Sequence, residues 1–429
     1  MGTTQFAPAR PGERLAHIDA IRGLALFGVL AMNAHYHFRG PLESYFSSVH
    51  PSEGFWNALA DDALRLLVDG KAMTLFSILF GVGLALQLER KQAAGGRFWG
   101  FALRRMGALF LLGALHVVLL WYGDILMLYA VDGLLLIPLL RRKTKTIGIW
   151  LASLYSLSTA ATLVLATLRV ADTAAVQARR AKAVAEAAAR AQELVAGYLQ
   201  PGWWDVLVVR LGHYAHELPG FLPALLLAFL NLLLGLALWR SGILRDPAAS
   251  RDRLRRAAPW LVILALVTGL LHLYSRPLFE FILAHGGWTK PLVYPVALSQ
   301  IYGYQLMALA YGALLLLAWL RPGGRRILRA FAPAGRMALS NYLAQSLVMT
   351  AVYSGWGLGL YGKVGPAANL GMCVLFFAAQ VVLSRWWLER FCFGPVEWLW
   401  RCVSYARRQP FRLTRYDAAP AAGLTPSTP

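Results

Sequence analysis

Charge is scarce in this chain, and negative charge is scarcer still. Only 15% of the 429 residues are Asp, Glu, Lys or Arg, and 21 acids stand against 42 basic residues. A soluble domain carries roughly 25% charged residues, so the polar surface needed to face water all round is missing. Hydrophobic residues make up 58% and mean hydropathy is +0.51. Polar backbone must then be satisfied within helices, because lipid offers no hydrogen-bond partners. The expected fold is an all-α, polytopic transmembrane helix bundle in a lipid bilayer.

Cysteine is nearly absent. Cys373, Cys392 and Cys402 have neither metal-ligand spacing nor a disulfide pattern, and Cys373 reads as a small apolar residue. No metal centre or bound cofactor is expected. No glycine-rich loop carries the Lys-Ser/Thr of a phosphate-binding loop, and there is no G-x-S-x-G or H-E-x-x-H. Ser340 has no histidine near it in sequence, so a serine nucleophile is not expected. A cleavable leader is not expected either: the first apolar run carries Asp19 and Arg22 and leads into further spans.

Positive charge is what remains. A net charge of +21 would suggest nucleic acid in a soluble protein, but here its placement excludes that partner. Apolar runs of the length that crosses a bilayer, about 20 residues, fall near 18–35, 71–90, 101–120, 124–140, 146–168, 219–240, 258–275, 293–320, 338–361 and 367–388. Basic clusters lie between spans two and three (Arg90 to Arg105), four and five (Arg141 to Lys145), six and seven (Arg240 to Arg256), and eight and nine (Arg321 to Arg336), and in the tail. Of the intervening turns, 121–123 has no Lys or Arg and 362–366 has only Lys363. That alternation predicts both ends in the cytoplasm and about ten spans of an inner (plasma) membrane. Residues 1–17 read as a cytoplasmic N-terminus and 18–168 as an N-terminal bundle. The Ala-rich segment 169–218 reads as an extracytoplasmic helical arm with an interfacial part. Residues 219–390 form a C-terminal bundle, and 391–429 a basic cytoplasmic tail disordered at its end. Oligomeric state is not legible.

Ionisable groups at membrane depth cost roughly 2.5–3.5 kcal/mol each on insertion scales, so each needs a partner or a purpose. They divide by depth. The inner set is Asp19, Arg22, Arg104, Arg105, Arg336, Asn341 and Gln345. Asp19 and Arg22 share a helix face and can pair with each other, or Arg22 can hold a phosphate or carboxylate. Asn341 and Gln345 also share a face, as ligand groups or as interhelical glue. The outer set is Asn33, His35, His37, His116 and Asp124. A short WYGD hairpin separates His116 from Asp124, which lets them meet as an oriented general base or as a packing pair. Asp132 should be buried in the same helix pair. Gly81, Gly83, Gly355, Gly357 and Gly359 are expected to permit close helix contact.

Five segments carry a resemblance: RLAHIDAIRGLALFGVLAMN (14–33), FSILFGVGLAL (76–86), LHVVLLWYGDILMLYAVDGLLL (115–136), APAGRMALSNYLAQS (332–346) and GPVEWLWR (394–401). In this order they resemble the YeiB-like membrane proteins, whose C-terminal half is domain of unknown function 418. That family is remotely similar to the transmembrane acyltransferases, including heparan-alpha-glucosaminide N-acetyltransferase and the bacterial O-acyltransferases of envelope glycans. In the O-acyltransferases an Arg-Gly-like pair precedes a His by eleven positions. Here Arg22-Gly23 is followed at that place by Asn33, as in the heparan enzyme, so His35 or His116 would supply the base. The resemblance implies acyl-coenzyme A as donor, with phosphates near Arg22, Arg104 or Arg105 and a glycan or lipid acceptor at the outer layer. Direct transfer is the simpler expectation, since no strong nucleophile is evident. A transporter or export factor, or a non-catalytic scaffold, are the competing classes.

Overall fold

The computed structural model describes residues 15–41, 54–95, 98–171, 174–285 and 287–413. Arg97, Arg415 and the tail from 417 lie outside the described residues.

Leucine- and alanine-rich runs form helices wherever Gly, Pro or a polar cluster does not interrupt them. Helix α1 (Ala16–Asn33) continues into a π-turn at Ala34–Phe38. Helices α2 (Phe55–Leu67) and α3 (Lys71–Ala93) are separated at Gly70, whose φ of +67° only glycine adopts cheaply. Helix α4 (Phe98–Leu119) returns through the WYGD turn into α5 (Leu126–Leu136). Helix α6 (Thr144–Ala171) precedes the Ala-rich α7 (Ala174–Tyr198) and α8 (Trp203–Glu217). Then come α9 (Phe221–Arg240), α10 (Arg251–Leu273), α11 (Ser275–His285) and α12 (Val293–Trp319). The short α13 (Pro322–Arg329) and α14 (Ala332–Arg336) lead to α15 (Ala338–Tyr353), α16 (Pro366–Leu388) and α17 (Pro395–Tyr405). Pro322, Pro366 and Pro395 sit in first turns, where a missing N–H costs nothing. Among the described residues there is no strand, only an isolated bridge between Phe391 and Arg412.

Every expected span coincides with a helix. Among the described residues, seven segments are long and apolar enough to cross a bilayer: 55–93, 98–119, 144–168, 203–240, 251–273, 289–319 and 366–388. The other three expected spans are α1, which carries charge, and α5 and α15, which are short. Helix α5 has 11 residues, or about 16 Å of rise, against the 124–140 expected. Helix α15 ends at Tyr353 rather than 361. Gly355, Gly357 and Gly359 therefore lie in the loop beyond it, where Gly355 still permits a close approach: its N–H bonds the Tyr198 carbonyl at the end of α7, and a Cβ on it would fall 2.1 Å from Leu199 O.

The packing is the reverse of a soluble protein's. Leu111 and Leu115 of α4, Leu157 and Leu165 of α6, Trp260 and Val267 of α10, and Leu375 and Val382 of α16 are exposed. Arg105, His116, Asp132, Asn231, Gln305, Asn341, Gln345 and Gln380 are buried. Apolar surface outside and polar groups inside is the arrangement a lipid environment selects, and the chain is a membrane protein. One apolar core runs through both halves of the chain. The basic connections gather at one end: Arg240 reaches the carbonyl of Leu140, Arg245 pairs with Glu89, Arg104 reaches the carbonyl of Ser404, and His17 bonds the carbonyl of Leu244.

One crossing is close because two glycines permit it. A Cβ on Gly81 would meet Leu232 O at 2.1 Å and one on Gly235 would meet Ile78 O at 2.1 Å, so α3 and α9 touch backbone to backbone. Gly83 differs from expectation: a Cβ there meets nothing within 4 Å, and the residue borders a cavity. Gly81→Val should therefore lower the melting temperature of the detergent-solubilised protein by several degrees, since overpacking costs about 1–3 kcal/mol. Gly83→Ala should leave it unchanged. Equal melting of Gly81→Val and wild type would contradict this crossing.

Candidate functional site

The cavity begins at the basic end. It occupies about 200 Å³ between α1, α3, α4, α5, α15 and α17. Its mouth holds Arg22, Arg105, Arg336 and Arg401 with a single acid, Glu397. Leu26, Val29, Phe76, Phe80 and Leu109 form apolar walls, and Ile125, Tyr129 and Tyr342 close the far end.

Each arginine is placed by its element. Gly23 and Gly335 let α1 and α14 meet: a Cβ on either would lie within 2.2 Å of a facing backbone oxygen. That crossing brings Arg22 beside Arg336. Arg22 Nη1 bonds Asp19 Oδ1 at 2.9 Å, the pairing expected within one turn, while the same side chain borders the cavity. Arg105 is buried, with its Cζ 3.4 Å from the ring centroid of Trp400, whose indole N–H bonds the Arg105 carbonyl at 2.8 Å. Its Nε has no acceptor among the described residues. A buried guanidinium stacked on an aromatic face with an unused donor is suited to an anion. Arg104, the adjacent candidate, is exposed and turned to Ser404. It does not enter the cavity.

Glu397 holds the mouth together. Its carboxylate accepts the N–H groups of Leu339 at 2.6 Å and Ser340 at 3.0 Å, and the Ser340 hydroxyl. These are donors that the start of α15 leaves unpaired. Burial pushes the Glu397 carboxyl up, and the donors pull the other way.

Asn341 and Gln345 face α16 rather than the cavity. Asn341 Nδ2 donates to Ser384 Oγ (2.9 Å) and to Ala334 O, and Gln345 Nε2 donates to Gln380 Oε1 at 2.8 Å. They are interhelical glue, not ligand groups in this arrangement.

Beyond Tyr342 lies the outer layer. His116 Nδ1 is 2.9 Å from Asp124 Oδ1, and both side chains are buried. The contact is close, although the carboxylate oxygen stands off the ring N–H direction. Asp124 Oδ2 accepts the Met127 N–H at 2.7 Å, which fixes the carboxylate against the first turn of α5. Gly113 makes room for it, since a Cβ there would fall 2.6 Å from Asp124 Oδ2. On the other side, His116 Nε2 is 2.8 Å from Ser346 Oγ. The Tyr342 ring packs at 5.1 Å from the His116 ring, between it and the cavity. Trp121 lies edge-on at 6.1 Å, and its indole N–H has no acceptor among the described residues.

His35, the other histidine expected here, bonds Asp61 Oδ1 at 2.8 Å, and no contact joins it to His116. His37 instead approaches through Trp121 (5.5 Å between rings) and bonds the Tyr122 hydroxyl. Asn33 ends α1 and is buried. Asp132 is fully buried in α5, as expected, and neither oxygen meets a donor among the described residues. Ser346, Trp121, Tyr342, Glu397 and Trp400 received no role from the sequence. Ser346 lies 230 positions from His116, and no spacing rule connects them.

Glu397→Ala should release α17 from the start of α15. Trypsin cleavage within the Arg-rich 390–408 segment of the purified protein should become at least several-fold faster. Unchanged cleavage would mean that the carboxylate does not hold this contact.

The C-terminal part, residues 238–407, matches the family model described as Protein of unknown function (DUF418). That range holds Arg336, Ser346 and Glu397 but not Arg22, Arg105, His116 or Asp124, so the site draws on both parts of the chain. Across its length the chain is similar to the uncharacterized protein YxaH of Bacillus subtilis, with 32% identity over 423 residues, covering 95% of this chain and 98% of that one. It is 29% identical to the uncharacterized protein YeiB of Escherichia coli over 410 residues, covering 93% and 98%. No solved structure matches the chain. With that identity sustained from end to end, the chain belongs to the YeiB-like, DUF418 family of proteins.

Proposed function

We propose that this protein is a membrane acyltransferase of the inner (plasma) membrane. It takes an acyl group from acyl-coenzyme A on the cytoplasmic side and delivers it to a hydroxyl or amine of an envelope glycan or lipid on the other. One observation carries the reading: the cavity runs from an arginine-rich mouth to Tyr342, whose ring packs against His116. The remote resemblance supplies the reaction class, and the geometry supports a path for it.

The chemistry follows the depth of the groups. Arg22, Arg105, Arg336 and Arg401 suit the phosphates of the donor, since charge-assisted bonds to guanidinium are strong and directional. The apolar walls suit the pantetheine arm and the acyl chain. Arg105 and His116 are eleven residues apart on α4, roughly 16 Å of helix rise, comparable to an extended pantetheine arm. His116, oriented by Asp124, takes the acceptor's proton, and the Tyr342 side chain must swing aside to admit the acyl carbonyl.

Arg105→Ala should weaken coenzyme A binding by about tenfold or more, because a bond to a charged group is worth roughly 1.5–3 kcal/mol. His116→Ala should leave binding intact and abolish transfer. Isothermal titration with coenzyme A and thiol release from acetyl-coenzyme A check these expectations. A protein that binds and turns over no acyl-coenzyme A, with an unaltered envelope in a His116→Ala strain, would sink the reading. Solute flux in proteoliposomes that survives His116→Ala would favour export instead.

A further inference from the structure

We infer that Ser346 is the acyl-accepting nucleophile of this site, so that transfer proceeds through an acyl-serine intermediate instead of directly. The inference rests on the acyl-transfer reading for its donor, but its geometry stands independently.

Three buried side chains, from α15, α4 and the WYGD turn, lie in succession. Ser346 Oγ is 2.8 Å from His116 Nε2, and His116 Nδ1 is 2.9 Å from Asp124 Oδ1. The Asp124 carboxylate stands 2.9 Å from Nδ1 but off the ring N–H direction, so a small rotation of the imidazole would complete that bond and leave Nε2 as the acceptor for the serine proton. This is the order of groups that activates a serine on several unrelated folds, recognised by geometry and role and not by sequence position.

Packing alone does not explain this serine. Thr350 reaches another element, the carbonyl of Leu120, while Ser77, Thr162, Thr268 and Ser404 turn back to the carbonyl four residues earlier. Ser346 does not, and its only partner among the described residues is His116. A second observation points to a ligand. The buried Trp121 indole beside His116 has an N–H without an acceptor, a donor available to the oxygen of a tetrahedral intermediate. Ser346 lies four residues beyond Tyr342, on the same face of α15, so the residue that closes the cavity is one turn from it.

The steps balance. Ser346 Oγ attacks the thioester carbonyl while His116 Nε2 takes the hydroxyl proton. The carbon–sulfur bond breaks, and coenzyme A leaves as the thiol with that proton. The acceptor hydroxyl or amine then gives its proton to His116 and attacks the acyl-serine. Ser346 leaves and recovers the proton, so thioester and acceptor become acylated acceptor and thiol.

The test uses an alkyl fluorophosphonate, which phosphonylates activated serines without any acyl donor. Applied to the full chain in detergent, it should label Ser346, as located by peptide mass. Labelling should vanish in Ser346→Ala and fall at least tenfold in His116→Ala and Asp124→Asn. Ser346→Cys, which keeps the partner of His116, should gain one acetyl group when incubated with acetyl-coenzyme A. Absence of label at Ser346 in a wild-type chain that still turns over acetyl-coenzyme A through His116 overturns the inference and leaves direct transfer standing. Label at Ser346 in a chain that binds no coenzyme A supports the nucleophile and removes the donor reading instead.

Discussion

A polar group at membrane depth must find its partner inside the protein, and the architecture follows from that constraint. Water is not there to accept the N–H of Arg105 or to solvate Asp124. The long apolar helices α4, α6, α10, α12 and α16 therefore carry lipid-facing leucine, valine and tryptophan on one side. Helices α1, α5 and α15 lie within them and contribute Arg22, Tyr129, Tyr342 and Ser346 to the site. Freed from contact with lipid, these inner helices need be neither long nor uniformly apolar. Of the 18 residues of α1, 14 are buried, Asp19 and Asn33 among them.

Close crossings convert that arrangement into geometry. Gly23 and Gly335 bring α1 against α14, and with it Arg22 to Arg336. Gly81 and Gly235 lock α3 to α9, which sets one wall of the cavity. Gly113 admits the Asp124 carboxylate beside His116. Small residues let helix backbones approach where lipid supplies no hydrophobic drive to press them together. Gly83 acts in the opposite way, since the space beside it is left open and becomes part of the cavity.

Much of this was legible in the order of the residues. Span positions and the alternation of basic loops follow from hydropathy and charge, and the basic loops do meet at one end of the bundle. The His116–Asp124 contact was legible because a four-residue turn leaves two helices nowhere else to go. What failed shares one cause. Ser346, Glu397 and Trp400 act on partners 230, 57 and 295 positions away, and single-sequence periodicity is blind to such pairs. For Asn341 and Gln345 the residue order left two readings, ligand groups or interhelical glue, and the contacts with α16 match the second. Periodicity assigns them a common face but does not say that α16 covers it. His35 was drawn to His116 by depth alone, whereas α2, which hydropathy left unassigned, brings Asp61 to it. Arg104 and Arg105 are adjacent in sequence, and a helix turn of 100° per residue separates their surroundings: one meets the cavity, the other the exterior.

The short inner helices also decide what chemistry can span the bundle. A helix crossing a full hydrocarbon core rises about 30 Å, but α5, which follows the WYGD turn, has only 11 residues. Asp124 in that turn and Ser346 on α15 are thereby brought near the cavity that the arginines open from below. A group entering that cavity need not traverse a whole membrane to meet His116; it need only pass one ring. Tyr342 lines the cavity on one side and packs on His116 on the other, so its side chain is the boundary between the two layers. A barrier one residue thick passes a tethered carbonyl when that residue rotates, and it still closes behind it. A continuous pore would offer no such closure, and the proposed transfer relies on that feature.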